Sequence, residues 1–230
     1  AIDLKAQLVP IGQGAAFAAD LQARWGSVSG IVKGLRAHTA QTVAGLDADW
    51  AWAPGKGIAL TNQTQLPLHQ GPMAQVADVP AFARAVADGG ALPWIALANM
   101  PTHVAEATLR DTAAALEGQT WGAGIIGLDA NRYRDEHIRL LEEIKPPFVL
   151  VAAGTIEQAL HLESAGVNTW LHTPTGGLLR AALRSGLRRF VLEGTEAGGH
   201  VGRLGGVTLW ELAQLEVSRA IRDGVAADEI

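Results

Sequence analysis

Apolar residues in this chain come in short unbroken runs rather than in strict alternation. The runs lie at 66–69, 92–98, 122–128, 148–152, 169–172 and 190–192. Unbroken runs of this length predict strands buried on both faces, as in a parallel sheet covered by helices. Between them, apolar positions recur at helical spacing. Successive runs start about 20 to 30 residues apart, the length of one βα unit.

Punctuation supports the helices. Asp78 before Pro80 predicts a cap for an alanine-rich helix that stops at Gly89 and Gly90. Pro101 and Thr102 open a helix over 104–116, closed by Gly118. Ile138, Leu141 and Ile144 mark a helix over 134–144, stopped by Pro146 and Pro147. Thr155 and Gln158 fit a capping box, with Gly166 at the far end. Pro174 and Thr175 precede a helix over 178–183, ended by Gly186, and Thr208 opens a last helix to about residue 221.

The first 57 residues break the rhythm. A short strand at 7–11 runs through Gly12-Gln13-Gly14 into a helix over 15–24, ended by Gly26. The glycines approach a dinucleotide loop, but Phe17 stands where the third would be. A second helix spans 28–44, with Val28, Val32, Leu35 and Val43 near one face. Residues 47–57 hold Trp50, Trp52, Pro54 and two glycines, a loop that divides an N-terminal segment (1–57) from the main unit (58–230).

Six consecutive βα units fit either six eighths of a (β/α)8 barrel or a doubly wound sheet. Repeated crossovers without a dinucleotide fingerprint favour the barrel. The expected fold is α/β: a TIM-barrel-like parallel βα repeat, incomplete at about six units, with an N-terminal βα extension. In a barrel the loops after the strand C-termini carry the chemistry.

Composition narrows the partners. The 230 residues are 48% hydrophobic and 18% charged, enough for a substantial core. Net charge is −5 and no basic run stands out, which argues against nucleic acid. The absence of cysteine excludes disulfides, thiolate metal sites and a cysteine nucleophile. No apolar run reaches the roughly 18 residues of a membrane span, and no leader pattern opens the chain, so a cytoplasmic location is expected. The chain begins at Ala1 and stops at Ile230 without a terminating pattern. A domain excised from a longer protein is expected, the other reading being initiator processing and a short native tail.

The chemistry concentrates after the sixth run, in Gly194-Thr195-Glu196-Ala197-Gly198-Gly199-His200-Val201-Gly202. Gly194, Gly198 and Gly199 let backbone approach a ligand, and histidine, here His200, is the side-chain type that titrates near neutral pH. On local chemistry alone this is equally a glycine-rich turn with a surface histidine.

This loop resembles the Gly-Thr-Glu-Ala-Gly-Gly-His-x-Gly signature of the nitronate monooxygenase family, formerly 2-nitropropane dioxygenases. Gln70-Gly71-Pro72-Met73 is similar to the family's opening Gln-Ala/Gly-Pro-Met. The family comprises FMN-dependent barrels, among them enoyl-acyl-carrier-protein reductases. A closer likeness is to barrel segments inside large bacterial polyketide synthase-like proteins, through 91–98, Pro146-Pro147-Phe148, Leu171-His172 and the 9–18 stretch.

The resemblance implies FMN held by Gly71, Pro72, Met73, Gly124, Gly154, Gly198 and Gly199. It implies His200 as the catalytic residue, with His172 and Glu196 on the substrate side. Glu196 is expected to steady the loop by accepting backbone N–H bonds. For Gly71 and Met73 the alternative is a tight strand-end turn with Met73 in the core. His69 reads as a core or rim histidine, and His38, His103, His137 and His161 as surface residues. Without metal-ligand spacing among the histidines, no metal site is expected.

Two departures stand out. The family's third strand often carries a flavin-contacting Asn, where this chain has Trp121-Gly122-Ala123-Gly124. The seventh and eighth strands, whose glycine loops cradle the FMN phosphate, have no equivalent after Ile221, so exposed strand edges are expected. The strand–turn–helix around Ile11-Gly12-Gln13-Gly14 is one candidate to fill that gap. The expected function is an FMN-dependent oxidoreductase-like domain of enoyl reductase type. It would belong to a polyketide or fatty acid synthase-like protein, with NAD(P)H as reductant. The alternatives are a nitronate monooxygenase and a non-catalytic structural or docking domain. Expected partners are a small-molecule or acyl-carrier-tethered substrate, other synthase domains and a second copy of the chain.

Overall fold

The computed structural model describes residues 18–49, 51–199 and 201–225. The predicted strand at 7–11, its glycine turn, and His200 lie outside the described residues. The chain divides into two compact units between Ala51 and Trp52.

The first unit is a helical hairpin of α1 (Ala18–Trp25) and α2 (Val28–Asp49). Gly26 turns it at a φ of 74°, a left-handed conformation that glycine adopts without strain. A Cβ on Gly34 would stand 2.1 Å from Trp25 Nε1, so this glycine makes room for the indole. α2 continues to Asp49, past the predicted end at 44 and into the segment predicted as loop. Gly45 alone costs a helix only about 1 kcal/mol against alanine. Val28, Val32, Leu35 and Val43 are exposed.

The second unit opens with a short helix, α3 (Ile58–Asn62). It continues as β1 (His69–Gln70), α4 (Pro80–Asp88), β2 (Leu92–Ala96), α5 (Thr102–Ala115), β3 (Gly122–Ile126), α6 (Arg134–Ile144), β4 (Phe148–Ala152), α7 (Ile156–Ser164), β5 (Asn168–His172), α8 (Gly176–Arg184), β6 (Phe190–Val191) and α9 (Gly206–Arg222). All six strands are parallel and stand in chain order. A doubly wound sheet would reverse direction partway, so the architecture is an incomplete TIM-barrel-like α/β fold. Among the described residues β1 and β6 pair on one side only, and each is two residues long. Shortness is a common protection for an exposed edge.

Local departures have local causes. β1 starts at His69 rather than 66, because Pro67 has no N–H to give a ladder. Val79, not Asp78, is the N-cap of α4 and makes no side-chain bond; Pro80 at the first helical position leaves one fewer donor to satisfy. The capping box at α7 is present as expected, with Gln158 N donating to Thr155 Oγ1 at 3.2 Å and Thr155 N to Gln158 Oε1 at 2.9 Å. Thr175 caps α8, which begins at Gly176, ahead of the predicted start.

Period-two alternation sorts the strands into two layers. Ile95, Leu97, Ala123, Ile125, Val149, Val151 and Leu171 pack outward with the helices. Leu92, Trp94, Phe148, Leu150 and Trp170 form a separate cluster on the concave face, with Ile58 of α3 and Val191 against it. His69 joins this cluster as expected of a core histidine. It meets Trp170 edge-on with centroids 5.1 Å apart, and its Nε2 lies 2.6 Å from Asn62 Nδ2.

His137 corrects the expectation of a surface residue. It is 0% exposed, and its Nε2 donates to the Met100 carbonyl at 2.9 Å. His137, Leu140 and Leu141 form one buried stripe of α6, a spacing present in the sequence that the polar character of histidine disguised.

α9 is held to α8 through Glu216, whose side chain is 4% exposed. It receives both Nε and Nη2 of Arg180 at 2.6 Å and Arg219 Nη1 at 2.8 Å. A cleft of about 570 Å³ lined by Arg180, Arg184, Arg188 and Arg219 lies between these helices and includes none of the strand C-terminal loops. The hydrogen bond from Arg180 holds the Glu216 carboxyl below its usual range. Its contribution is therefore complete above the unfolded carboxylate pKa and is lost as pH falls through the folded one. Glu216→Gln should lower the melting temperature at pH 7 and flatten its decline between pH 5 and 3. A variant with the wild-type pH profile, measured by circular dichroism melts, would contradict this.

Candidate functional site

The C-terminal ends of six parallel strands gather the loops on one side of the sheet, and most of the sequence-predicted site residues lie there. His200, the predicted catalytic residue, lies outside the described residues.

Pro72 and Gly124 are brought into contact. A Cβ on buried Gly124 would stand 2.5 Å from Pro72 Cγ, so the proline ring sits over the bare backbone of β3. Gly71 is exposed, with nothing within 4 Å of where its Cβ would be. Met73 is 43% exposed and so is not a core residue.

Gly154 serves the packing of its own loop. A Cβ there would meet Val151 Cγ1 at 2.3 Å and Gln158 Oε1 at 2.5 Å. Gln158 also gives its Nε2 hydrogen to the Gly127 carbonyl at 2.9 Å, tying the β3 and β4 loops together. The turn before Gly154 holds Ala153 at a φ of 49°, and Ala98 after β2 has a φ of 36°. Such left-handed conformations cost a non-glycine residue about 1 kcal/mol or more and recur at functional rims.

The glycine-rich loop is anchored at both ends. Glu196 accepts the Gly206 N–H on both carboxylate oxygens, at 2.8 and 3.0 Å, so it steadies the loop from the N-terminus of α9. This starts α9 two residues before Thr208. A Cβ on Gly206 would lie 2.0 Å from Glu196 Oε1, and one on Gly202 would lie 2.8 Å from Pro174. Gly198 and Gly199 are exposed, with no atom of the described residues within 4 Å of where a Cβ would stand, and Gly199 has a φ of 89°.

His172 is drawn to Glu193. Nδ1 lies 2.8 Å from Oε2, with the side chains 15% and 12% exposed. Burial lowers the His172 pKa to about 4. The imidazole is therefore neutral at pH 7. Two residues of this face escaped the sequence reading as site candidates. Glu193 was visible as a carboxylate beside the loop, but only the β5–β6 register brings it to His172. Trp170, 8% exposed in the aromatic layer, has a buried Nε1 without a hydrogen-bond partner among the described residues.

Among the described residues no group of three or more His, Asp and Glu is placed to hold a metal, and no helix is long and apolar enough to cross a membrane.

No family model and no curated protein matches the chain. Solved structures do. FabK from Thermotoga maritima superposes with a TM-score of 0.63 at 23% identity, over 69% of this chain and 50% of that one. A nitroalkane oxidase from Streptomyces ansochromogenes gives 0.60 at 22%, over 69% and 58%. The enoyl reductase domain of MlnA, from the macrolactin biosynthesis cluster of Bacillus amyloliquefaciens, gives 0.57 at 10%, over 75% and 49%. At these identities the likeness is one of fold. The chain spans about half the length of the structures it matches.

Proposed function

We propose that the second unit is a flavin-dependent oxidoreductase domain of the enoyl reductase type, working within a larger cytoplasmic synthase on an acyl-carrier-tethered substrate. The observation that carries this reading is the position of the loop after β6, described for residues 194–199 and 201–202. It follows β6 at the strand C-terminal end of a TIM-barrel-like sheet, on the same rim as Gly71 and Pro72. The fold shared with the MlnA enoyl reductase domain supports the choice of reaction.

The residues present fit the ring end of FMN in two respects. Among the described residues Trp170 offers a buried indole N–H without an acceptor, and Gly71, Gly198 and Gly199 have no atom where a side chain would begin. A flat ring with polar edges suits an aromatic floor bordered by backbone donors. Gly71, Pro72 and Met73 would hold the ring at the β1 loop, and Gly198 and Gly199 would offer N–H groups from the β6 loop. Gly124 and Gly154 contribute by letting Pro72 and Gln158 seat these loops. When bound, FMN supplies hydride transfer, with NAD(P)H as the source of electrons.

The chain's own groups supply the rest. Glu196 fixes the loop that carries His200. His200 would polarise the thioester carbonyl or deliver the proton that completes reduction. His200→Ala should lower kcat for NAD(P)H-dependent reduction of a crotonyl thioester by more than about tenfold, the usual scale for a lost acid–base group. An unchanged rate in a stopped assay would remove His200 from the mechanism. The fold shared with a nitroalkane oxidase keeps a second reading, oxidation of alkyl nitronates without NAD(P)H, open to the same assay.

A further inference from the structure

The turn after β2 is strained and held from several sides. Ala98 has a φ of 36°, a left-handed conformation that residues with a Cβ rarely adopt. Leu97 N donates to the Gly124 carbonyl at 2.9 Å, and Met100 N to the Leu97 carbonyl at 2.7 Å. Asn131 Nδ2 donates to the Ala98 carbonyl at 3.3 Å, and His137 Nε2 to the Met100 carbonyl at 2.9 Å. Asn131 is 8% exposed and His137 0%. Two buried polar side chains, which without hydrogen bonds would cost free energy, are thus committed to one turn.

Asn99 is the residue this turn presents. It is exposed, and its carboxamide makes no hydrogen bond among the described residues. Other amides on this rim are spent on backbone. Gln70 Oε1 accepts the Trp94 N–H at 3.1 Å, Gln158 Nε2 donates to the Gly127 carbonyl at 2.9 Å, and Asn131 Nδ2 also donates to the Ile126 carbonyl at 3.0 Å. Asn99 stands two residues from Leu97, whose N–H reaches Gly124, the glycine on which Pro72 rests. The turn therefore adjoins the residues assigned above to the flavin ring.

We infer that Asn99 is a ligand-binding residue whose carboxamide hydrogen-bonds a neutral amide edge, an N–H beside a C=O, and that Asn131 is the positioning residue that holds its turn. A carboxamide offers donor and acceptor in one plane and so matches such an edge. It brings no charge to an anion. Backbone strain that the surroundings enforce at a rim preorganises a contact of this kind. The inference rests on the oxidoreductase reading above and names a recognition group for that site. The edge has two sources there, the imide of the flavin ring and the amide in the thiol arm of a carrier-tethered substrate.

The test titrates the full chain separately with FMN and with crotonyl N-acetylcysteamine thioester. Asn99→Leu should bind at least one of them about tenfold more weakly, the scale of one lost hydrogen bond, with the urea midpoint unchanged. A loss of FMN affinity assigns the contact to the ring. A loss for the thioester alone assigns it to the arm, and crotonyl propyl thioester, which lacks the amide, should then bind both proteins alike. Asn131→Asp keeps an acceptor for the Tyr133 N–H but loses its donors to the turn. It should weaken the same ligand in the wild-type background and have no further effect beside Asn99→Leu. Equal affinities of wild type and Asn99→Leu for both ligands overturn the contact, and additive losses in the double variant overturn the positioning role. A wild type that takes up no FMN yet binds the thioester in an Asn99-dependent way overturns the flavin reading and leaves the contact standing. A wild type that binds neither ligand overturns both.

Discussion

Acidification from pH 7 to pH 4 is expected to remove several kcal/mol of stability, more than the usual loss of surface ion pairs would explain. Burial lowers both His69 and His172 from 6.5 to about 4, and His137 is lowered by burial as well. A buried neutral histidine resists protonation, while the same residue in the unfolded chain takes up a proton below about 6.5. The folded state therefore binds fewer protons across that interval. Stability is whole above pH 6.5 and falls as pH drops towards 4, where the folded histidines begin to titrate. Each pKa unit is worth about 1.4 kcal/mol. Urea midpoints measured every half pH unit check this. His69→Gln, which keeps an acceptor for Asn62, should remove part of the slope. Midpoints that stay level between pH 6.5 and 4.5 would contradict the assignment of His69 and His172 as neutral.

Gly122→Val is expected to be the most damaging single change in the sheet. Its Cβ would stand 2.4 Å from Cε3 and 2.5 Å from Cζ3 of Trp94, a side chain that is 1% exposed. The ring is hemmed in by Phe148 at 6.4 Å and His69 at 5.9 Å between centroids, so it has little room to retreat. Overpacking of this kind costs about 1–3 kcal/mol. Chemical denaturation should report a loss on that scale. Trp94→Leu, destabilising alone, should recover part of the loss when combined with Gly122→Val. A Gly122→Val protein with the wild-type midpoint would show that the concave layer is not close-packed.

The fold was largely legible because strand burial on both faces leaves a coarse signal. The runs at 92–98, 122–128 and 148–152 needed only trimming, and Thr155 with Gln158 announced a cap that forms as expected. Legibility failed where a contact depends on two distant segments. His137 looked like a surface residue because histidine is usually solvated, although its spacing to Leu140 and Leu141 placed it on the buried stripe. β1 was misplaced because an apolar run around Pro67 does not show which N–H groups enter a ladder.

The candidate site divides in the same way. Glycines at strand ends, and Glu196 as the residue that steadies its loop, were readable from one segment. The seating of Pro72 over Gly124 arises from two segments about 50 residues apart, and no local pattern encodes it. The pairing of His172 with Glu193 depends on the β5–β6 register, which is a property of the assembled ladder. Trp170 read as an ordinary strand aromatic, and its unsatisfied N–H emerges only from the packing around it.

The central claim is that this rim accepts a flavin. The direct measurement is to incubate the purified chain with excess FMN, remove free cofactor by gel filtration, and record the absorbance spectrum. Retention of about one FMN per chain, with the flavin band near 450 nm perturbed from that of the free cofactor, is the predicted result. A colourless protein after gel filtration, still folded by circular dichroism, would contradict it.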